Sequence, residues 1–259
     1  MNPDWGSRGR WFKSSRPDLI LKATFYELLF FILHSMSTLI ILIPAYNAKP
    51  NLSALIHQII CKFPDQKLVV IDDGSTDGSV DKIKKTKEII VLKNIANTGK
   101  GSALKKGISY ILENYHNCKA VIFMDADLQH SPNAIPDFIH RFERGDIDFL
   151  YGRREFILQK MPLDRILSNY ITSWLLSIKL GFRIYDSQCG FRLVSTAILR
   201  ACQPYQCHKF DFETELLIKA SKKGAEFDFI NIPTIYNNGK SSIKILRDIM
   251  LFIGAYFKF

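Results

Sequence analysis

Residues 120–132 read AVIFMDADLQHSP, and this stretch decides how the rest of the chain is interpreted. An apolar run continues up to Met124, as in a strand that is buried on both faces of a sheet. Two aspartates, Asp125 and Asp127, follow at once with one residue between them. Because two like charges this close repel each other, we expect a positive charge between them.

The same alternation of buried strand and polar turn extends on both sides of this stretch. TLIILIPAYN, residues 38–47, and KLVVIDDGSTDGS, residues 67–79, predict two further strands. Short strands are predicted at 89–92 and 148–152, and helices near 51–62, 80–87, 101–115 and 132–143. Strands that alternate with helices predict an α/β protein whose mostly parallel sheet is covered by helices on both faces.

The alternation breaks after Tyr151, where a second half completes the domain. We predict a long helix over 162–180, an irregular segment YDSQCGFR at 185–192, a helix near 211–220 and a strand near 226–236. No linker interrupts the pattern, so we expect one domain over 36–240. A basic and hydrophobic extension, residues 1–35, precedes it, and an amphipathic helix, residues 241–259, follows it; both suit a membrane surface.

Composition restricts the class of partner. The 259 residues are 47% hydrophobic and carry a formal net charge of +10, which indicates an anionic partner such as nucleic acid, a phosphorylated ligand or an acidic lipid. The chain has no interleaved aromatic and basic residues and no recognition helix, so we discount nucleic acid. Five cysteines without paired spacing indicate reduced thiols and a cytoplasmic protein.

Two acidic clusters are predicted at the carboxyl ends of neighbouring strands, where ligands bind in parallel sheets. One is Asp72–Asp73 and the other is Asp125–Asp127, with Gln129 two residues later. Either cluster alone is more often a cap or an Asx turn. Together they favour a nucleoside-diphosphate site, in which Asp125, Asp127 and Gln129 hold Mg²⁺ or Mn²⁺ and the first pair accepts hydrogen bonds from base or ribose.

Two other phosphate or metal motifs fail on their spacing. DDGSTDG has the start of a calcium loop, but Lys84 stands at the twelfth position, which requires Glu. NTGKGSA contains part of a P-loop, but Asn94 stands where that motif requires Gly.

Five motifs together resemble the family 2 glycosyltransferases with the GT-A fold. IPAYN, VIDDGSTDGS, NTGKGSAL, MDADLQHSP and DSQCGFR occur in this order, and the match covers roughly Ser37 to Arg247. Within the family, the chain resembles the polyprenyl- and dolichyl-phosphate sugar transferases of the mannosyl- and glucosyltransferase type. It departs from their pattern at Tyr236 and Ser242, where Arg and Lys are usual.

The resemblance implies roles for individual residues. The residues expected to bind the nucleotide sugar are Pro44, Ala45, Tyr46, Asp72, Asp73, Asp77, Lys100 and Asp125. Those expected to act in catalysis are Asp125, Asp127, Asp186, Arg192 and Glu213, and those expected to meet an acceptor phosphate are Arg153 or Arg154, Arg165 and Lys240.

The expected reaction is an inverting displacement on a UDP- or GDP-hexose, by a peripheral protein on the cytoplasmic face of a membrane. A phosphate acceptor needs no strong general base, whereas a hydroxyl acceptor would need one, such as Asp186, Asp211 or Glu213. Glu213 equally suits an acidic first helical turn. Three hypotheses stay open: transfer to a polyprenyl phosphate, transfer to a saccharide hydroxyl, or an inactive nucleotide-sugar-binding or membrane scaffold protein.

Overall fold

A computed structural model describes residues 39–155, 162–235 and 245–259. The predictions for the extension over residues 1–35 and for Lys240 fall outside these ranges. The division into an extension, a domain and a terminal helix therefore stays a prediction.

Seven strands form one sheet in the order β3-β2-β1-β4-β6-β5-β7. Only β6 runs against its neighbours: it pairs antiparallel with β4 and with β5, while the other pairings are parallel. The strands are β1 (Leu39–Ala45), β2 (Lys67–Asp72), β3 (Ile89–Lys93), β4 (Ala120–Phe123), β5 (Phe149–Arg154), β6 (Arg192–Ser195) and β7 (Phe227–Ile232).

Helices cover both faces of the sheet, which confirms the predicted mostly parallel α/β architecture. Two pack on one face, namely α1 (Asn51–Lys62) and α3 (Ile135–Phe142), which a 3₁₀ turn (Pro132–Ala134) precedes. The helices that pack on the other face are α2 (Lys100–Asn114), α4 (Leu163–Leu180), α5 (Thr196–Ala201), α6 (Asp211–Lys222) and α7 (Ile245–Lys258).

The apolar run of β1 has a direct physical reason. Side chains alternate between the two faces of a strand, and both faces of this sheet are covered. Ile40 and Leu42 therefore enter the core on the α2 side, while Leu39, Ile41 and Ile43 enter the core on the α1 side. Every residue of β1 is therefore apolar.

Two parts of the fold differ from the sequence predictions. Residues 80–87 form a turn and irregular chain and not the predicted helix, and the Thr86 hydroxyl there accepts hydrogen bonds from the backbone N–H groups of Glu88 and Ile89. The segment has only two apolar side chains to bury, Val80 and Ile83, which is too few for a stable amphipathic face. The strand β6 and the short helix α5 were not predicted.

The parallel strands bring their carboxyl ends to one edge of the sheet. In the β1–β2 register Ala45 lies beside Asp72, and the backbone N–H of Met124 donates to the carbonyl oxygen of Leu42. The turns after β1, β2 and β4 are therefore neighbours, and the two acidic clusters reach the same edge.

In the part of the chain that the structure describes, no helix combines the length and the apolar character that crossing a bilayer requires.

We predict that Gly101→Ala destabilises the fold by about 1–3 kcal/mol, because the added methyl would overpack a close contact. A Cβ at this position would lie 2.7 Å from the backbone of His208 and 2.7 Å from the carbonyl oxygen of Lys209. A matched control is Gly254→Ala on α7, where a Cβ meets nothing within 4 Å and should stabilise the helix by up to about 1 kcal/mol. Urea unfolding of both variants measures the difference, and equal effects would contradict the prediction.

Candidate active site

The positive charge expected beside the paired aspartates is Lys100. Its Nζ lies 2.6 Å from Asp125 Oδ1 and donates a hydrogen bond of 2.8 Å to Glu213 Oε1. Lys100 is the first residue of α2, Asp125 follows β4, and Glu213 lies in the first turn of α6. Three elements that are distant in sequence thus meet through one ammonium group.

The charges of this cluster shift one another's pKa values. Burial raises the pKa of the Asp125 carboxyl, but the ammonium of Lys100 together with His130 and Arg192 outweighs burial, and the pKa is lowered. Burial also opposes the charge of Lys100, yet Asp125 and Glu213 together raise the pKa of the Lys100 ammonium. Asp125 and Lys100 are therefore charged at neutral pH in a largely buried place.

Gly190 makes room for the carboxylate of Asp125. A Cβ built on Gly190 would lie 2.1 Å from Asp125 Oδ2 and 2.6 Å from its Cγ, so no side chain fits here without moving the aspartate. Gly190 belongs to DSQCGFR, and Pro44 and Phe123 line the same pocket with Lys100 and Glu213. The DSQCGFR motif thus contributes Gly190, which leaves the space that the Asp125 carboxylate occupies.

Asp127 stands in a tight turn beside Asp125. Its Oδ1 accepts a hydrogen bond of 3.0 Å from the backbone N–H of Gln129, and Leu128 between them has a φ of +63°. A leucine in the left-handed region is strained and is found where the surroundings impose the conformation. Burial and the charge of Asp125 raise the pKa of the Asp127 carboxyl.

The neighbouring residue His130 belongs to the site, although the sequence analysis did not select it. The imidazole is buried, its ring centre lies 5.6 Å from that of Phe191, and burial lowers its pKa to about 4. Among the residues that the structure describes, its Nδ1 has no hydrogen-bond partner. The sequence could have indicated His130, because it directly follows Gln129, a candidate metal ligand.

Asp73 holds the loop that leads into Lys100. Its carboxylate accepts hydrogen bonds from the backbone N–H groups of Thr98 and Gly99, from the Thr98 hydroxyl and from the Asn94 amide, at 2.7–3.1 Å. The side chain is buried and its acceptor positions are used by the chain itself. The expected hydrogen bonds from a base or ribose to Asp73 stay a prediction.

The turns after β1 and β2 are tied together by short polar side chains. Asp77 accepts from the backbone N–H of Lys49 at 3.0 Å and from both the backbone and the hydroxyl of Ser79, while Asp72 caps its own turn through the N–H of Ser75. Asn47 Oδ1 accepts from the N–H of Thr76 at 2.9 Å. Asp72 and Asp77 thus fix the backbone at this edge.

The residues expected beside the nucleotide lie at the end of β1. Ala45 is buried, whereas Tyr46 is half-exposed beyond the strand end. Pro44 reaches the pocket that also contains Lys100 and Asp125.

Asp186 forms a buried ion pair with Arg154. The Arg154 Nε and Nη2 atoms lie 2.7 and 2.9 Å from the two carboxylate oxygens, and Asn169 donates a third bond of 2.7 Å. Burial opposes ionisation of Asp186, but Arg154 outweighs burial and the pKa of the carboxyl is lowered. A carboxylate held this way is a poor general base, and the guanidinium of Arg154 is already paired. The expected roles of Asp186 in catalysis and of Arg154 at an acceptor phosphate stay predictions.

Arg192 supports the pocket wall from within the core. Its guanidinium donates to the carbonyl oxygens of Cys189, Ser187 and Glu213 at 2.7–3.1 Å, and Nη2 lies 3.9 Å from the Glu213 carboxylate. Arg192 therefore joins the DSQCGFR segment to the start of α6.

Arg153 points to the opposite sheet face from Arg154, since neighbouring residues of a strand alternate. Its guanidinium stacks on Tyr185 at 4.3 Å and on Phe229 at 5.3 Å from the ring centres. It forms no ion pair with the residues described. Arg165 lies half-buried in the first turn of α4.

The donor set at Asp125 and Asp127 fits a divalent cation. Two carboxylates lie close together in a low-dielectric place, and a neighbouring ammonium is already needed to neutralise one of them. Within the described ranges, no three His, Cys, Asp or Glu side chains surround one point. Mg²⁺ and Mn²⁺ fit such an open oxygen set, because they keep water and phosphate oxygens as further ligands.

Comparison with known proteins establishes the family. The model of glycosyl transferase family 2 matches residues 40–201, more than half of the chain, and the protein belongs to this family. An uncharacterized protein of Methanocaldococcus jannaschii is 28% identical over 236 residues, 83% of this chain and 99% of the relative. A UDP-N-acetylglucosamine–dolichyl-phosphate N-acetylglucosaminyltransferase of Methanococcus voltae is 25% identical over 218 residues, 76% of this chain and 85% of the relative.

Solved structures share the fold. Glucosyl-3-phosphoglycerate synthase of Mycobacterium tuberculosis, in complex with Mn²⁺, UDP and phosphoglyceric acid, superposes with a TM-score of 0.66 at 16% identity over 88% of this chain and 80% of that chain. Mannosyl-3-phosphoglycerate synthase of Rubrobacter xylanophilus gives 0.68 at 16% identity over 88% and 76%. These likenesses confirm the predicted GT-A fold, and the protein is a glycosyltransferase enzyme.

We predict that Asp186→Asn destabilises the protein by about 3–5 kcal/mol at pH 7, because Arg154 is left as an uncompensated buried charge. The folded-state pKa of Asp186 is lowered, so its contribution is complete above the unfolded value of about 3.9 and is lost as the pH falls through the folded-state value. The stability gap between wild type and variant should therefore narrow only in acid. Urea unfolding between pH 3 and 7 measures it, and a variant as stable as the wild type would contradict the assigned role.

Proposed function

We propose that this family 2 glycosyltransferase transfers a hexose, with inversion, from a UDP- or GDP-hexose to a polyprenyl phosphate. The observation that supports it most is the meeting of Asp125, Lys100 and Glu213 at the carboxyl edge of the sheet, at 2.6 and 2.8 Å. Such an edge combines carboxylates for a divalent ion with a cation for phosphate oxygens.

Mg²⁺ or Mn²⁺ would be held by Asp125, Asp127 and Gln129. When bound, the ion neutralises the charge that grows on the departing nucleoside diphosphate. Lys100 would add to this stabilisation, because a largely buried ammonium beside Asp125 interacts favourably with phosphate oxygens. Asp73 supports the reaction indirectly by fixing the loop before Lys100.

The displacement needs no proton transfer when the acceptor is a phosphate. An acceptor oxygen, already ionised at neutral pH, forms a bond to the anomeric carbon while the bond from that carbon to the diphosphate oxygen breaks. The electron pair of the broken bond leaves with the nucleoside diphosphate. The main tasks of the protein are then to hold the reactants in line and to stabilise negative charge.

The buried ion pair of Asp186 favours a phosphate acceptor over a hydroxyl. A hydroxyl acceptor requires a general base, and Asp186 is committed to Arg154 while Glu213 is bound to Lys100. The third candidate base, Asp211, accepts a hydrogen bond of 2.8 Å from the backbone N–H of Lys209. The M. voltae relative is also named for a dolichyl-phosphate acceptor. We assign the acceptor phosphate to Arg153 and Arg165, with Lys240 as a further candidate, and place the protein peripherally on the cytoplasmic face of a membrane.

The direct test is an assay with radiolabelled UDP- and GDP-hexoses and a polyprenyl phosphate. Label should move into an organic-extractable, acid-labile product in the presence of Mg²⁺ or Mn²⁺. We expect Asp127→Asn to lower the rate about 100-fold or more, whereas Asp65→Asn, at an exposed aspartate, should leave it unchanged. Label found only in a saccharide, or full activity of Asp127→Asn, would refute the proposal.

A second prediction separates acceptor binding from chemistry. Arg153→Gln should raise the KM for the lipid phosphate with a smaller effect on kcat, because it removes a charge that binds the acceptor in both ground and transition states. Steady-state kinetics with varied acceptor measure this. An unchanged acceptor KM would exclude Arg153 from the acceptor site.

A further inference from the structure

The outer face of α4 carries a continuous apolar stripe that the sequence analysis did not identify. The stripe consists of Leu163, Leu167, Tyr170, Ile171, Trp174 and Ile178, which recur at helical spacing. Tyr170 is 69% and Trp174 56% exposed. The opposite face of the helix is occupied by Asn169, Thr172, Ser173 and Leu176, which are buried against the domain. The stripe therefore contributes nothing to the described core.

The helix α7 adds a second exposed apolar row beside this stripe. Met250, Ile253 and Phe257 lie on one side of α7, and Phe257 is 80% exposed, while Phe252 and Ala255 are buried. The two helices touch where Lys179 Nζ donates to the carbonyl oxygen of Tyr256 at 2.6 Å. Exposed apolar surface on two adjoining helices is unusual for a monomer and marks an interaction site.

Positive charge borders the two rows. Lys179, Arg183 and Lys258 lie at or just beyond the C-terminal ends of α4 and α7, and none of them forms an ion pair with a residue in the described part of the chain. The only acidic residue in the α4 sequence is Asp164, in its first turn. An apolar stripe with Tyr and Trp and a basic margin is the composition of a helix that lies in the interface of an anionic bilayer.

A second copy of the chain is the alternative occupant, and charge argues against it. A symmetric contact through this face would bring the basic margins of two chains together, and each chain carries a formal charge of +10. An anionic bilayer has the complementary sign. We propose that the stripe of α4 and the exposed row of α7 form a docking face for an anionic membrane surface; this inference rests on the proposed lipid-phosphate acceptor.

The docking face also orients the active site. Asn169, on the inner face of α4, donates to Asp186, which pairs with Arg154 at the end of β5. The helix that lies on the membrane therefore belongs to the same packed unit as the wall of the site.

Trp174 provides a reporter within the stripe itself. The chain has three tryptophans, and Trp5→Phe with Trp11→Phe leaves Trp174 alone in an otherwise full-length protein. On addition of vesicles of phosphatidylcholine with phosphatidylglycerol, the emission should move to shorter wavelength and be quenched by brominated acyl chains. Unchanged emission would overturn the proposal. A shift without vesicles that grows with protein concentration would overturn it in favour of self-association.

Substitutions in the stripe test affinity. Leu167→Ser with Ile171→Ser should weaken binding to the anionic vesicles about tenfold or more in flotation, because apolar area leaves the bilayer. Ile95→Ser is the matched control, since Ile95 is fully exposed but follows β3 at the other edge of the sheet. Equal binding of the wild type, the double variant and Ile95→Ser to the anionic vesicles would refute the docking face.

Activity on a dissolved short-chain polyprenyl phosphate separates this inference from the proposed function. In the absence of vesicles, the stripe variant should transfer sugar at the wild-type rate and lose activity only on acceptor embedded in vesicles. Absence of transfer by the wild type on the dissolved acceptor would defeat the proposed function, and the vesicle-binding results would still decide the docking face.

Discussion

The ammonium of Lys100, held between Asp125 and Glu213, is the interaction on which the arrangement of this site depends. It joins the end of β4, the start of α2 and the first turn of α6 through contacts of 2.6 and 2.8 Å. Burying charges is costly unless each has a partner, and the cost of leaving one uncompensated is several kcal/mol. The cluster therefore fixes β4, α2 and α6 relative to one another. It also places the carboxylates of Asp125 and Glu213 where a metal and a diphosphate would bind.

Residues around the Lys100 cluster leave space for its side chains and fix the backbone of the loop that leads into Lys100. Gly190 leaves the volume that the Asp125 carboxylate occupies, and Gly101 allows α2 to start against the backbone of residues 208–209. Asp73 binds the loop that ends at Lys100. Glycines that leave space and a carboxylate that binds the chain itself thus help to position the site.

The apolar runs of β1, β2 and β4 sufficed to predict the parallel sheet, because a strand covered on both faces is apolar along most of its length. The acidic clusters at their carboxyl ends predicted the edge at which the site lies. The strand β6 escaped prediction because it is only four residues long and begins with Arg192, a charged residue whose guanidinium is satisfied by backbone carbonyl groups. Partners could not be predicted either: a sequence does not reveal that Asp186 is paired with Arg154, or that Asp73 is saturated by its own chain.

The central claim is that Asp125 and Asp127 form a divalent-metal site at this edge. Titration of the protein with Mn²⁺ in the presence of UDP, followed by the electron paramagnetic resonance signal of the free ion, tests it without any assumption about the acceptor. We expect one bound ion per chain in the wild type and binding weakened at least about tenfold in Asp127→Asn. Equal stoichiometry and affinity in the two proteins would contradict it.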